Sequence, residues 1–206
     1  MLDLAGIPLR SADRGPHHPL VIAGGSTTYN PEPLADFFDL FVIGEGEEVL
    51  QEILDLWLSC RRLPRQDLLR RSAGIAGVYV PSLYRVATDL DGRVSAITPV
   101  GPDVPSQVIK RIVARLPDPV TRPVVPFLDI VHDRATIAIR RGCSEGCRFC
   151  QAGMIYRPVR ERPLEQVLRA IDETLRHTGY DEVGLVSLAS SDYSQIEPLL
   201  DALVER

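Results

Sequence analysis

Between Ala135 and Pro163 the sequence reads ATIAIRRGCSEGCRFCQAGMIYRPVRERP: a short apolar run, three closely spaced cysteines and a proline that opens a helical pattern. Three thiols on one loop after a strand and before a helix can converge on a single point. In a parallel sheet that point is the carboxyl edge of the strands, where small-molecule and cofactor chemistry usually sits. Thiolates at Cys143, Cys147 and Cys150 suit two kinds of metal site: zinc wants a fourth protein ligand if structural, whereas an iron-sulfur cluster can leave one iron without one. His132 is the nearest candidate for a fourth ligand. It precedes the strand, and at roughly 3.3 Å per extended residue it lies on the order of 25 Å from the loop. The spacing therefore favours iron-sulfur over zinc, with unligated thiols as a third reading.

The chain has 206 residues and a net charge of -5, which argues against general nucleic-acid binding or anionic-membrane binding. No apolar run approaches the roughly 20 residues that a membrane span needs, and MLDLAGIPLRSADRG lacks the order of a signal peptide. A cytoplasmic location is the expectation, and in a reducing compartment a cysteine cluster binds metal or does redox chemistry rather than forming a disulfide. Cys60 stands apart and is expected to be a buried, inert thiol.

Around this loop the chain alternates. MLDLAGIPL reads as a last helical turn closed by Gly6. The run PLVIAGG (Pro19 to Gly25) predicts a strand, PEPLADFF a helix and LFVIGEGE (Leu40 to Glu47) a second strand. Val49, Leu50, Ile53, Leu54 and Leu56 to Leu58 then recur at helical spacing. Strand, helix, strand, helix is the order of a parallel sheet covered by helices. From Arg61 to Pro126 nine prolines intervene. GVYVPSLYRVATDLDGRVSAITPV predicts antiparallel strands turning at Asp91-Gly92, and Val108 to Leu116 predicts a helix with Val108, Ile112, Val113 and Leu116 on one face. Beyond the cysteines, Leu164, Val167, Leu168, Ile171 and Leu175 predict a helix from Pro163 to Thr178-Gly179. EVGLVSL (Glu182 to Leu188) is then a buried strand and IEPLLDALVER the beginning of another helix.

CxxxCxxC with an aromatic residue before its last cysteine, here Phe149 in CSEGCRFC, resembles the signature of the radical S-adenosylmethionine (radical SAM) enzymes. The string from VVPFLDIVHDRATIAIRRG through the loop to VSLASSDYSQI is similar to a bacterial subgroup with a cobalamin-binding-type domain ahead of the barrel. VIAGGSTTYNPEPLADFFDLFVIGEGEE resembles the end of that domain. The resemblance implies an α/β chain: the end of a doubly wound (flavodoxin-like) cobalamin-type domain, residues 1–61, a connecting region with a small hairpin, 62–126, and the first part of a partial (β/α) radical SAM barrel, 127–206. It further implies a 4Fe-4S cluster on Cys143, Cys147 and Cys150, with one iron chelated by S-adenosylmethionine. Reductive cleavage would release methionine and a 5'-deoxyadenosyl radical, while the protein holds, orients and shields. The implied partners are S-adenosylmethionine, an unknown substrate and an electron donor such as flavodoxin or ferredoxin; cobalamin is a candidate further cofactor.

By that resemblance Phe149 packs beside the cluster, its backbone approaching the adenine. Six arginines lie between Arg140 and Arg162, against Glu145 and Glu161. They read as a solvated basic face, or else Arg157, Arg160 or Arg162 pairs with the methionine carboxylate or a phosphate-bearing substrate. Tyr156 reads as core or pocket wall. Many family members carry Gly-Gly-Glu after the second strand. Here Ser190, Ser191 and Asp192 supply an equivalent polar contact to the amino group, or Asp192 or Ser194 caps the next helix. Gly24, Gly25, Gly44 and Gly46 follow strand ends, where the chain turns tightly or approaches cobalamin. Cobalt-ligating Asp-x-His-x-x-Gly is not visible, and His17, His18, His132 and His177 read as structural or surface residues. The alternative function is a non-catalytic zinc-binding or interaction module on the same cysteines. With two barrel strands, the chain alone is expected to be a truncated segment with little turnover.

Overall fold

A computed structural model describes residues 1–128 and 130–205, which form two compact units, Met1–Val113 and Ala114–Arg206. In the first unit, β1 (Ile22–Ala23) pairs parallel with β2 (Leu40–Val42), and β2 runs through Ile43-Gly44-Glu45 into α1 (Gly46–Cys60). Strand β2 is buried throughout because Leu40 and Val42 meet Val49 and Ile53 of α1 in one core. Each such aliphatic side chain contributes about 1.5–3 kcal/mol on burial. The opposite side of α1 is wet: Leu50, Leu54, Trp57 and Leu58 are all exposed.

Next comes α2 (Arg65–Ser72), whose Leu68 and Leu69 are buried, and β3 (Val78–Tyr79), antiparallel to β2. Asp39, just before β2, is buried and accepts from Arg14, Arg65 and the Val21 N–H. That buried network compensates two guanidinium groups with one carboxylate and three backbone carbonyls on Arg14 alone. The predicted hairpin is present as β4 (Tyr84–Thr88) and β5 (Val94–Pro99), closed by Asp89, which accepts from the Arg93 N–H, and by left-handed Gly92.

Three expectations change here. PEPLADFF forms a 3-10 segment, Glu32–Phe37, rather than an α-helix. Cys60 is partly exposed rather than buried, at the end of α1 near the Arg71 guanidinium. Val108 to Leu116 is not helical. The Arg111 N–H donates to Ile43 O at 2.8 Å and Arg111 O accepts from the Glu45 N–H at 3.1 Å, so the segment adds to the end of β2. A backbone group used across the sheet is not free for an i to i−4 bond, and the tertiary pairing wins over the helical pattern.

In the second unit, β6 (Ala135–Ala138) is followed by β7 (Arg140–Arg141), α3 (Ala152–Ile155), β8 (Arg160–Glu161), α4 (Leu164–Thr178), β9 (Val183–Val186) and α5 (Ile196–Val204). Strands β6 and β9 pair parallel, Ile137 opposite Leu185, and β7 pairs antiparallel with β8. The stripe on α4 packs as predicted, with Val167 and Ile171 buried against Ile137, Ile139 and Leu199. Pro163 begins the helix and left-handed Gly179 ends it, its N–H donating to Leu175 O. Among the described residues no helix is long and apolar enough to cross a membrane.

Candidate metal centre and cofactor edge

The cysteine loop leaves the sheet at β7 and returns at β8, so its two ends are tied by the Arg140 to Glu161 and Arg141 to Arg160 pairing. Gly142 makes the exit. Its φ is +89°, and a Cβ there would stand 2.6 Å from Pro158 O and 2.8 Å from Tyr156 O. Only glycine lets the returning strand lie this close to the first cysteine. Cys143 is buried, Cys150 partly so and Cys147 exposed, and all three thiols are free. The Gly153 N–H, at the start of α3, donates to Cys150 Sγ at 3.4 Å, and the Arg157 Nε donates to Cys143 O at 3.5 Å. Thus the loop lies at the carboxyl end of the β6–β9 pair, as expected from its place in the sequence. The three sulfurs are not gathered: among the described residues no three His, Cys, Asp or Glu side chains form a metal-holding group. The donor set itself, three soft thiols with a backbone N–H already directed at one sulfur, suits iron-sulfur ligation. His132 precedes β6 and interacts with Arg134, away from the loop.

Phe149 is 92% exposed, so among the described residues none packs on its ring. Arg157 and Arg160 lie beside the loop, with Arg160 donating to Pro158 O and Tyr156 O. Arg162 differs. It is buried, and its guanidinium donates to Ala138 O, Pro117 O and Gln166 Oε1. The Tyr193 hydroxyl donates to Arg162 O at 2.8 Å. Burial, with Glu161 nearby, pushes the Tyr193 phenol up, which keeps it a proton donor.

Ser190, Ser191 and Asp192 form a 3-10 turn directly after β9, on the same edge as the cysteine loop. Ser190 Oγ lies 3.0 Å from Ser187 Oγ, and the Ser191 hydroxyl donates to Asp192. Neither Asp192 nor Ser194 caps α5: the cap position is Gln195, which makes no side-chain cap bond. Ser194 instead donates to Glu161 through both its N–H and its hydroxyl. Arg140, which sequence patterns passed over among six arginines, has a side chain only 2% exposed. Its NH1 lies 3.8 Å from Glu161 and 4.0 Å from Asp192, and its buried Nε and NH1 have no hydrogen-bond partner.

The first unit contrasts with this. A Cβ on Gly44 would stand 2.2 Å from Arg111 O, and one on Gly77 2.9 Å from the Arg111 Cβ. The Arg111 guanidinium pairs with Glu48 and Glu52, and Glu45 accepts from the Val113 N–H. The glycine after β2 therefore admits the chain's own segment. Gly24 and Gly25 border open space instead, with Gly25 left-handed at φ +100° and its carbonyl accepting from Thr28. His18 Nδ1 accepts from the Gly15 N–H.

Residues 1–81 match the family described as Radical SAM proteins, N-terminal, and residues 137–206 match the Radical SAM superfamily. The chain is similar to an uncharacterized protein of Methanocaldococcus jannaschii, 25% identical over 193 residues, covering 89% of this chain and 35% of the relative. It is also similar to ribosomal protein uS12 methylthiotransferase RimO of Chromobacterium violaceum, 30% identical over 117 residues, covering 52% of this chain and 25% of the relative. The chain thus spans about a third and a quarter of the length of these curated relatives. No solved structure matches. Two stretches of the chain thus match radical SAM family models.

Proposed function

We propose that the chain is a segment of a radical SAM enzyme that holds a 4Fe-4S cluster on Cys143, Cys147 and Cys150 and binds S-adenosylmethionine at the same edge. The observation that carries this reading is the position of CxxxCxxC: it lies at the carboxyl end of a parallel strand pair and inside the stretch that matches the superfamily. When bound, the cluster supplies the electron for reductive cleavage of S-adenosylmethionine to methionine and a 5'-deoxyadenosyl radical. The residues of the chain do the holding. Gly142 lets the loop fold back on itself, and Gly153 directs its N–H at Cys150. Arg157 braces the carbonyl of Cys143.

Ser190, Ser191 and Asp192 offer polar contacts to the amino group of S-adenosylmethionine, Arg157 and Arg160 take its carboxylate or an anionic substrate, and Phe149 lies beside the cluster with its backbone approaching the adenine. An electron donor such as flavodoxin or ferredoxin is the partner this chemistry needs. The division at residues 61 and 126, with the radical SAM portion starting at 127, belongs to the same proposal.

The test is anaerobic reconstitution of the purified chain with iron and sulfide. The expected product is brown, and after reduction it yields 5'-deoxyadenosine and methionine from S-adenosylmethionine with little turnover. A colourless protein that takes up zinc in place of iron would establish the zinc module instead.

A further inference from the structure

We propose that Arg140 is a positioning residue that sets the Ser190–Asp192 turn against the base of the cysteine loop. This deepens the reading above and rests on it for the role of the turn, although the positioning itself is measurable without any cofactor.

Arg140 is the first residue of β7, two residues before Gly142, and its neighbour across the strand pair is Glu161. Its side chain is almost wholly enclosed, yet Nε and NH1 make no hydrogen bond. Unsatisfied buried donors on a cation are strongly unfavourable, so such a group persists only where charge compensates it. The compensating groups come from two elements. Glu161 stands on β8 and Asp192 in the turn after β9, at 3.8 and 4.0 Å from the same NH1. Both are partly exposed, so the guanidinium lies beneath two carboxylates that face outward.

Each carboxylate is also tied to the turn. Glu161 accepts from the N–H and hydroxyl of Ser194, and Asp192 accepts from Ser191. One cation therefore underlies two loops at the carboxyl edge, that of the cysteines and that after β9. Without it, Glu161 and Asp192 would be uncompensated like charges close together, and the turn would move away. Arg162 does not substitute, because its donors are used by Ala138, Pro117 and Gln166.

The test compares the full chain with Arg140→Met and Arg140→Lys. Hydrogen exchange in cofactor-free protein is expected to speed up about tenfold over Ser187–Gln195 in Arg140→Met, with β6 and α4 unchanged, and to be largely restored by Arg140→Lys. After reconstitution, Arg140→Met is expected to hold iron as the unaltered chain does. Its affinity for S-adenosylmethionine should fall about tenfold or more, and the change in the electron paramagnetic resonance spectrum on adding that ligand should be lost. Unchanged exchange over Ser187–Gln195 would overturn the proposal. So would equal exchange increases in β6 and α4, which would mark Arg140 as a general stabiliser. If the turn loosens but the unaltered chain takes up neither iron nor S-adenosylmethionine, the positioning stands and the functional reading fails.

Discussion

The two units solve the same local problem in opposite ways. Each has a pair of parallel strands, β1 with β2 and β6 with β9, and each has a left-handed glycine at the carboxyl edge, Gly44 in one and Gly142 in the other. At Gly44 the space is filled by the backbone of Arg111, which is gripped by Glu48 and Glu52. At Gly142 the glycine lets the chain at Tyr156 and Pro158 return close to the end of β7, and the loop between carries Cys147 and Phe149 outward while Cys143 stays buried. A glycine-rich turn at a sheet edge is thus no indicator of a ligand site by itself. The chain's own backbone approaches both glycines, but at the second edge the loop it closes leaves one thiol, that of Cys147, exposed.

This contrast can be broken or sharpened by experiment. The largest effect is expected from the thiols: replacing Cys143, Cys147 or Cys150 singly by alanine should abolish stable iron-sulfur incorporation, read as iron and sulfide per chain. Retention of the full complement by all three variants would remove the metal assignment. Next in size, Gly44→Ala puts a methyl group against Arg111 O at positive φ and should cost about 3 kcal/mol of stability in the first unit. In calorimetry that corresponds to a fall of roughly 10 °C or more in the melting of that unit. A neutral outcome would mean that the Arg111 segment detaches freely. Arg111→Ala, which leaves the backbone pairing in place, is expected to cost only about 1 kcal/mol, because the ion pairs with Glu48 and Glu52 are partly exposed. Hydroxocobalamin mixed with the protein should not co-elute on gel filtration, and co-elution would show that the first edge opens. The smallest effect belongs to Phe149→Ala, within about 0.5 kcal/mol of the unaltered chain, since an exposed ring has no packing to lose.

How much of this was legible in the sequence follows from which interactions are local. Helix α4 was readable because its apolar stripe, Pro163 and Gly179 all speak for one element over a short span. The β4–β5 hairpin was readable from Asp91-Gly92. The cysteine loop was readable from spacing alone, though the pattern gave no sign that its thiols stand apart. By contrast, Val108 to Leu116 carries a helical pattern that is overruled by hydrogen bonds to Ile43 and Glu45, residues more than sixty positions earlier in the chain for the pair joining Glu45 to Arg111. Helix α2, RQDLLRRS, was missed because two leucines among charges make no stripe, although Pro64 stands before it much as Pro163 stands before α4. Arg140 was hidden for a similar reason. In RRGC it is one arginine in a basic run, and only the pairing of β7 with β8 puts it inside.

Trp57 has a practical consequence. It is the sole indole of the chain and stands half-exposed on α1, in the unit whose edge is closed, whereas the cysteines belong to the other. Its fluorescence and the visible colour of a bound cluster therefore offer separate optical handles, so that unfolding of one half and loss of metal from the other can be followed in a single cuvette.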